Sequence, residues 1–448
     1  EADGEGEGVE GGDVAAPASS FGGVPVLETL AARESAPELE KLRVKAVTRI
    51  RAFLLGEVAR LRTKKINVQV HQQNVLLRVK QCVPFLAKHS PEVAEELRAT
   101  YADTMCRLLV AVFRAYHTGL NKVLAQVADK NDHVAVEEAA VKSMFSNKVD
   151  LSKRYDAFNL GGRLAVLEHP TAPVLAPHVE QQMGRRHPFE VLFRSMQLHL
   201  MDAATAEYLF LRDFFEDCAN DMFSRVFARV LSLVLEHVEN YLLRCFDALG
   251  LLLMLRIVQD HRRAMQHRRL PVLDSYFDRV AMLLWTRFNT VIALNVRSMR
   301  GANPKKLGVV STHPHYAARR FAELSASLTR LHRLLVEGGV EDAAVLQGMT
   351  QLREAALELL GRLAEEVEDA GERPVFLINN YAQVAVVLRE RGAPDEEAEA
   401  WEERQQAQAR RFVDGELMRL YGRLVAFVRA AERRMGIAGG HGGEDEEA

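Results

Sequence analysis

Cysteine is scarce in this chain: four residues in 448 (Cys82, Cys106, Cys218, Cys245), with no Cys-x-x-Cys pair. That argues against a disulfide framework or a cysteine-held zinc and fits a reducing, cytosolic setting. Long apolar runs are missing as well. The longest, Ala248 to Leu255, is interrupted by Gly250 and stopped by Arg256. At about eight residues it falls far short of the ~20 needed to cross a bilayer. No stretch alternates apolar and polar residues long enough to predict a strand. Catalytic signatures are absent: there is no Gly-x-Ser-x-Gly, no His-Glu-x-x-His and no Walker loop. The Gly4–Gly8 repeat follows no strand and so is no nucleotide loop. Neither an initiator Met nor a signal peptide opens the chain, which therefore reads as a fragment or a trimmed gene product.

What is present is helical pattern and charge. Apolar residues make up 48% and charged residues 27%, the balance of a folded soluble protein with well-wetted helix faces. The net charge is −3, but residues 1–40 hold ten acids and one base, so the rest of the chain carries +6. A mildly basic body suits an acidic partner or a membrane surface and is far from the profile of a nucleic-acid binder.

Residues 1–36 are Gly- and acid-rich and predict a disordered tail. From Leu39 the spacing turns helical, and 37–160 reads as an N-terminal helical bundle. Within it, Ser90 caps and Pro91 opens a helix whose apolar stripe runs from Val93 to Val127. Gly161-Gly162, Pro170, Pro173, Pro177 and Pro188 mark 161–188 as a connection. Helices are expected from Phe189 to about Asp260, with Leu192, Leu198, Leu209, Phe214, Phe223, Phe227, Leu231 and Leu235 facing inward. Others are expected over Leu273–Arg300, Tyr316–Glu337 and Glu341–Glu368. These, with the helix beginning at Phe376, make 189–392 the central and C-terminal bundles. After the break at Gly392-Ala393-Pro394, 393–436 reads as a truncated final helical segment with Leu417, Leu420, Leu424 and Val428 on one face, and 437–448 as a disordered tail. The fold class is all-α: an elongated rod of stacked antiparallel helical bundles.

Few residues invite a chemical role. His313-Pro314-His315 has the look of a metal pair, but with no further ligand at suitable spacing it reads as a turn histidine pair. His133, His187, His199 and His237 stand isolated. An enzyme would need a buried, pKa-shifted cluster in a cleft, and Glu190, Arg194 and His187 are the residues that would have to line it. No metal, cofactor or small-molecule substrate is expected. The basic run His261-Arg262-Arg263 and His267-Arg268-Arg269 has two readings: a surface for anionic lipid or an acidic partner, or a solvated helix C-terminus favoured by the helix dipole.

The most informative stretch is Phe376-Leu377-Ile378-Asn379-Asn380-Tyr381. Two adjacent asparagines in an apolar helix oppose propensity, so they serve packing or polar contact, by bridging helices or capping a turn. Five further blocks accompany it in order. These are His187–Ser195, Glu207–Phe210, Leu283–Phe288 with Asn295–Ser298, Leu307-Gly308, and His315–Glu323. Together they resemble the vacuolar protein sorting-associated protein 52 family, from about Leu42 to Leu388. The resemblance implies a non-catalytic, peripheral-membrane subunit of a vesicle-tethering complex at the trans-Golgi network and endosomes. Its implied partners are the other complex subunits, a Golgi Rab GTPase and SNAREs. The family-motif positions Phe189, Phe193, Arg194, Tyr208, Trp285, Phe288, Tyr316, Arg319, Arg320, Phe321, Asn379, Asn380 and Tyr381 are expected to be structural. Arg262, Arg263, Arg268 and Arg269 are the candidate lipid or partner surface. The sequence departs from the family pattern at both ends, with the acidic tail standing where the family has a coiled coil and the chain stopping at Ala448. A helical subunit of the exocyst or of the conserved oligomeric Golgi complex is the alternative, and the His187–Ser195 and His315–Glu323 blocks argue against it.

Overall fold

The computed structural model describes residues 20–21, 24–25, 29–63, 66–137, 156–168, 172–339 and 343–434. The tail assigned to 437–448, most of that assigned to 1–36, and the breaker Pro170 lie outside them. The fold is all-α. Besides one two-residue antiparallel pairing of β1 (Ser20–Phe21) with β2 (Val24–Pro25), every regular element among the described residues is helical.

The chain divides into two compact units. The first comprises residues up to Leu109 together with Ala206–Phe227, and the second Val110–Thr205 together with Ala228 onward. These contact clusters follow a different course from the segment boundaries read at 160, 188 and 392, because residues far apart in sequence complete one another's cores.

The first unit contains α1 (Leu30–Arg60), the short α2 (Val68–His71), a π-helical stretch at Gln72–Leu76, α3 (Cys82–His89) and the N-terminal part of α4 (Pro91–Asn121). The C-terminal end of α7 (Phe189–Phe215) and the first turns of α8 (Ala219–Leu242) complete it. α1 starts nine residues before the expected Leu39, with Thr29 Oγ1 accepting the Ala32 N–H. Pro37 is carried inside the helix; a proline there reads from sequence as a start rather than an interior residue. The core is aromatic. Tyr101 stacks on Phe210 at 5.5 Å, and Phe214 meets Phe215 edge-on at 4.9 Å. Buried among these rings, the Glu207 carboxylate accepts from Tyr101 Oη (2.7 Å) and Gln72 Nε2 (2.9 Å). Burial pushes the Glu207 carboxyl above its ordinary range, and the two donors oppose the shift.

In the second unit, α5 (Ala165–Glu168) and α6 (Pro177–Gln182) are short. The body is α9 (Ala248–His267), α10 (Asp274–Gly301), α11 (Tyr316–Glu337), α12 (Ala343–Glu365), α13 (Arg373–Glu390) and α14 (Asp395–Arg434). α9 packs on α10 and α11, α12 on α10 and α11, and α13 on α11 and α14. Gly392, at φ +69°, ends α13: the Ala393 N–H donates to Leu388 O and the Gly392 N–H to Arg389 O, closing the helix through a left-handed residue. The chain break expected at 392–394 is this cap.

Three details differ from expectation. α4 opens at Pro91 but stops at Asn121 rather than Val127, giving 31 residues, or about 46 Å. Its extension is lost to a backbone pairing in which the Ala125 N–H donates to His187 O and the His187 N–H to Val123 O. α9 runs on past Asp260 to His267 because His261 and Met265, four residues apart, are both buried. In α8 the fully buried positions are Met222, Val226, Phe227, Val230, Val234 and Val238, so Phe227 faces inward as expected, while Leu231 and Leu235 are only half-buried and Leu209 of α7 is exposed.

Candidate interaction surfaces

The Asn-Asn block is a clamp built on α13. Asn380 is fully buried; its Oδ1 accepts the His315 backbone N–H (2.8 Å) and its Nδ2 donates to Phe376 O (2.8 Å). Asn379 Nδ2 donates to Thr312 O (2.7 Å). Both amides therefore fix the turn that leads into α11, so they earn their place against helix propensity through polar partners. His315 is itself the N-cap of α11: its Nδ1 accepts from the Ala317 N–H (3.2 Å) and its Nε2 donates to Leu307 O (3.2 Å). It is buried, so this member of the turn histidine pair is a cap inside the fold. Tyr381 meets Trp401 of α14 at 5.6 Å, and Phe321 lies 5.5 Å from the same indole.

The remaining motif positions are distributed through the fold and do not converge. Phe189 stacks face to face on Tyr241 at 3.5 Å, and Phe193, Phe288 and Phe321 are buried. Tyr208 and Trp285 are half-buried, with Tyr208 Oη donating to Asn220 Oδ1. Tyr316 Oη donates to Val136 O, and the fully buried Arg320 donates to His133 O and lies over the Phe158 and Tyr316 rings. Arg319 and Arg391 both reach the buried Glu323.

Glu190, Arg194 and His187 face separate partners. Glu190 is buried against Arg163, whose Nε donates to it at 2.7 Å while its two terminal nitrogens bind Asp247. Burial, aided by the nearby Asp247 charge, lifts the Glu190 carboxyl above its usual range against the pull of Arg163. Arg194 donates to Ala172 O, and His187 pairs with Glu180. This buried ionic cluster ties the 161–164 turn to α7 and to the N-cap Asp247 of α9. His237 is not isolated either, since its ring stacks on His117 at 4.5 Å. Burial holds His117 down to about 3, with the neighbouring imidazoles adding to the shift. No group of three metal-ligating side chains occurs among the described residues.

The basic run is largely engaged. Arg262 pairs with Asp278, Arg263 binds the Gly338 carbonyl and approaches Asp260, and Arg268 bridges Asp202 (3.1 Å) and Thr205 (2.9 Å). Arg269 is exposed in a left-handed turn conformation.

Exposed apolar side chains lie elsewhere, some of them on α1. On α1, Leu39, Leu42, Val44 and Phe53 are 63%, 62%, 54% and 45% exposed. A shallow groove of about 490 Å³ runs beside them, lined by Ala36, Leu39, Leu42, Ala46, Phe85 and His89. Residues 20–86, which include all of α1, match a family model described as the Vps52/Sac2 family coiled coil, and residues 103–413 match the Vps52 C-terminal model. The chain belongs to the Vps52 family. The first match also overturns the expectation that an acidic tail stands in place of the family's coiled-coil stretch: the match runs over residues 20–86 and takes in all of α1, which begins before Leu39.

Vps52 relatives span plants and animals. Vacuolar protein sorting-associated protein 52 A of Arabidopsis thaliana is 38% identical over 405 residues, covering 90% of this chain and 56% of that protein. The Homo sapiens homolog is 38% identical over 402 residues, 88% and 54% respectively. The Caenorhabditis elegans homolog is 30% identical over 376 residues, 81% and 53%. The chain thus spans about half the length of these Vps52 relatives.

Proposed function

We propose that this chain acts as a non-catalytic subunit of a multisubunit vesicle-tethering complex, in retrograde transport from endosomes to the trans-Golgi network and in endosomal recycling. In that role it promotes SNARE-dependent fusion together with a Golgi Rab GTPase, working peripherally on the cytosolic face of both membranes. Membership of the Vps52 family supports this, and it favours the Golgi-associated retrograde complex over the exocyst or conserved oligomeric Golgi type. The observation that carries the assembly part is on α1. Its exposed Leu39, Leu42 and Phe53 fall within the stretch matched as coiled coil, and a helix with an uncovered apolar stripe gains by packing on partner helices. Peripheral attachment fits the finding that no described helix is long and apolar enough to cross a membrane.

Affinity purification of the chain from cells, followed by mass spectrometry, tests the reading. Recovery of the Golgi-associated retrograde subunits, lost when Leu39 and Leu42 are both changed to Asp, is the expected result. Recovery of exocyst or conserved oligomeric Golgi subunits instead would overturn it.

A further inference from the structure

α14 passes through two environments. Its first turns are covered, with Ala398 and Trp401 buried as the helix packs on α13. From Val413 onward no described residue is buried. Before a kink at Tyr421, Val413, Leu417 and Leu420 are 53%, 44% and 60% exposed on one side of the helix, and beyond it Leu424 and Phe427, three residues apart, are 58% and 71% exposed on one side of the second segment. Tyr421 and Val428, also exposed, widen that side.

The opposite side is arginine-rich. At 100° per residue within each segment, Arg411, Arg419, Arg429 and Arg433 fall away from the apolar side, while Arg423 borders it. Arg419 pairs with Glu416, while Arg411, Arg423 and Arg429 form no ion pair among the described residues. Between Ala409 and Arg434 there are seven arginines and three acids.

Two features distinguish the possible occupants. A coiled-coil partner favours a narrow seam flanked by charges of both signs and a continuous register. Here apolar Tyr421 and Val428 occupy flanking positions, and the backbone leaves helical geometry at Tyr421 (φ −125°, ψ 18°), breaking the register mid-stripe. A wide face of Leu, Val and Phe backed by arginine is instead the chemistry of a helix lying in a lipid interface, where cationic side chains meet anionic headgroups. We propose that residues 413–434 form an interfacial helix that binds an anionic phospholipid surface, with Leu417, Leu420, Leu424 and Phe427 at the acyl boundary and the arginines among the headgroups. The proposal rests on the peripheral-membrane part of the function above and assigns that contact to α14 rather than to the basic run of α9.

Flotation of the purified chain with phosphatidylcholine vesicles, with and without phosphatidylserine, tests it. The chain is expected to float with the anionic vesicles, weakly with the neutral ones, and to be released by added salt. The exposed pair Leu424→Glu/Phe427→Glu and the pair Arg423→Glu/Arg429→Glu should each lower apparent affinity by at least about tenfold, with unchanged circular dichroism. Anionic binding that both variants retain would place the contact on another surface and overturn the assignment, leaving the membrane reading standing. A parent chain that ignores vesicles overturns it as well. If light scattering then shows a dimer that the Leu424→Glu/Phe427→Glu pair dissolves, the face belongs to a second copy. Recovery of tether subunits is read separately, so failure here does not count against the tethering role.

Discussion

Asn380→Ala probes the clamp directly. Asn380 is fully buried and supplies the acceptor for the His315 backbone N–H. Truncation leaves that N–H buried without a partner, at a cost of about 1–3 kcal/mol, and the small void left by the amide adds about 1 more. The loss at Phe376 O is minor because that carbonyl lies in a helix and has a backbone partner available. We expect destabilisation of about 2–4 kcal/mol in total. Asn380→Leu, which fills the space but accepts nothing, should retain about 1–3 kcal/mol of that loss and so isolates the hydrogen bond. Asn379→Ala removes one half-buried neutral bond, worth about 0.5–1.5 kcal/mol. Urea unfolding followed by circular dichroism and by tryptophan fluorescence measures all three. The chain has two tryptophans, and Trp401 touches Tyr381, the residue next to Asn380. If Asn380→Ala unfolds within 0.5 kcal/mol of the parent, roughly the size of a neutral surface change, or if Asn379→Ala costs as much, the clamp is not what holds the turn before α11.

Other expectations are more local. Arg163→Met leaves Glu190 and Asp247 buried without their shared cation and should cost about 3–5 kcal/mol in the same urea assay, whereas an exposed substitution such as Arg429→Met should leave the midpoint unmoved. Phe189→Ala removes a buried ring stacked on Tyr241 and should cost about 3–5 kcal/mol. His117 has a folded pKa near 3, below the unfolded value, so the unfolded chain binds the extra proton. Its contribution is full above about pH 6.5 and is lost as pH falls, by about 2 kcal/mol at pH 5. Comparing parent and His117→Gln from pH 7 to pH 5 should show a flatter stability profile for the variant, and parallel profiles would refute the assignment.

Much of the helical layout was legible because periodicity and punctuation agreed. Tyr316 and Glu337 bound α11 as the spacing predicts, since His315 caps one end and Gly338 follows the other. Pro91 opens α4 and Gly392 closes α13 for equally local reasons. The misses share a cause, namely partners far away in sequence. Nothing near His117 announces His237, and nothing near Gln72 announces Glu207, 135 residues on. In α8 a Leu and a Val occur on neighbouring faces, and only the packed structure chooses the Val stripe at 226, 230, 234 and 238. The arginines of the basic run were visible as charge, but their carboxylate partners Asp278 and Asp202 were not. The Asn-Asn pair was the opposite case: its violation of propensity marked it in the sequence, and its partners Thr312 and His315 account for the violation.

The discontinuity of the first unit sets a timetable for the growing polypeptide. Residues up to Leu109 need Ala206–Phe227 to complete their core, and 96 residues of the second unit are made in between. At about 5–20 residues per second, translation takes roughly 5–20 s to cover that interval. Until it ends, Gln72 and Tyr101 have no Glu207, and Tyr101 has no Phe210 to stack on. During synthesis the early helices therefore stand on the ribosome as an open half-core, a natural client for chaperones that hold nascent chains.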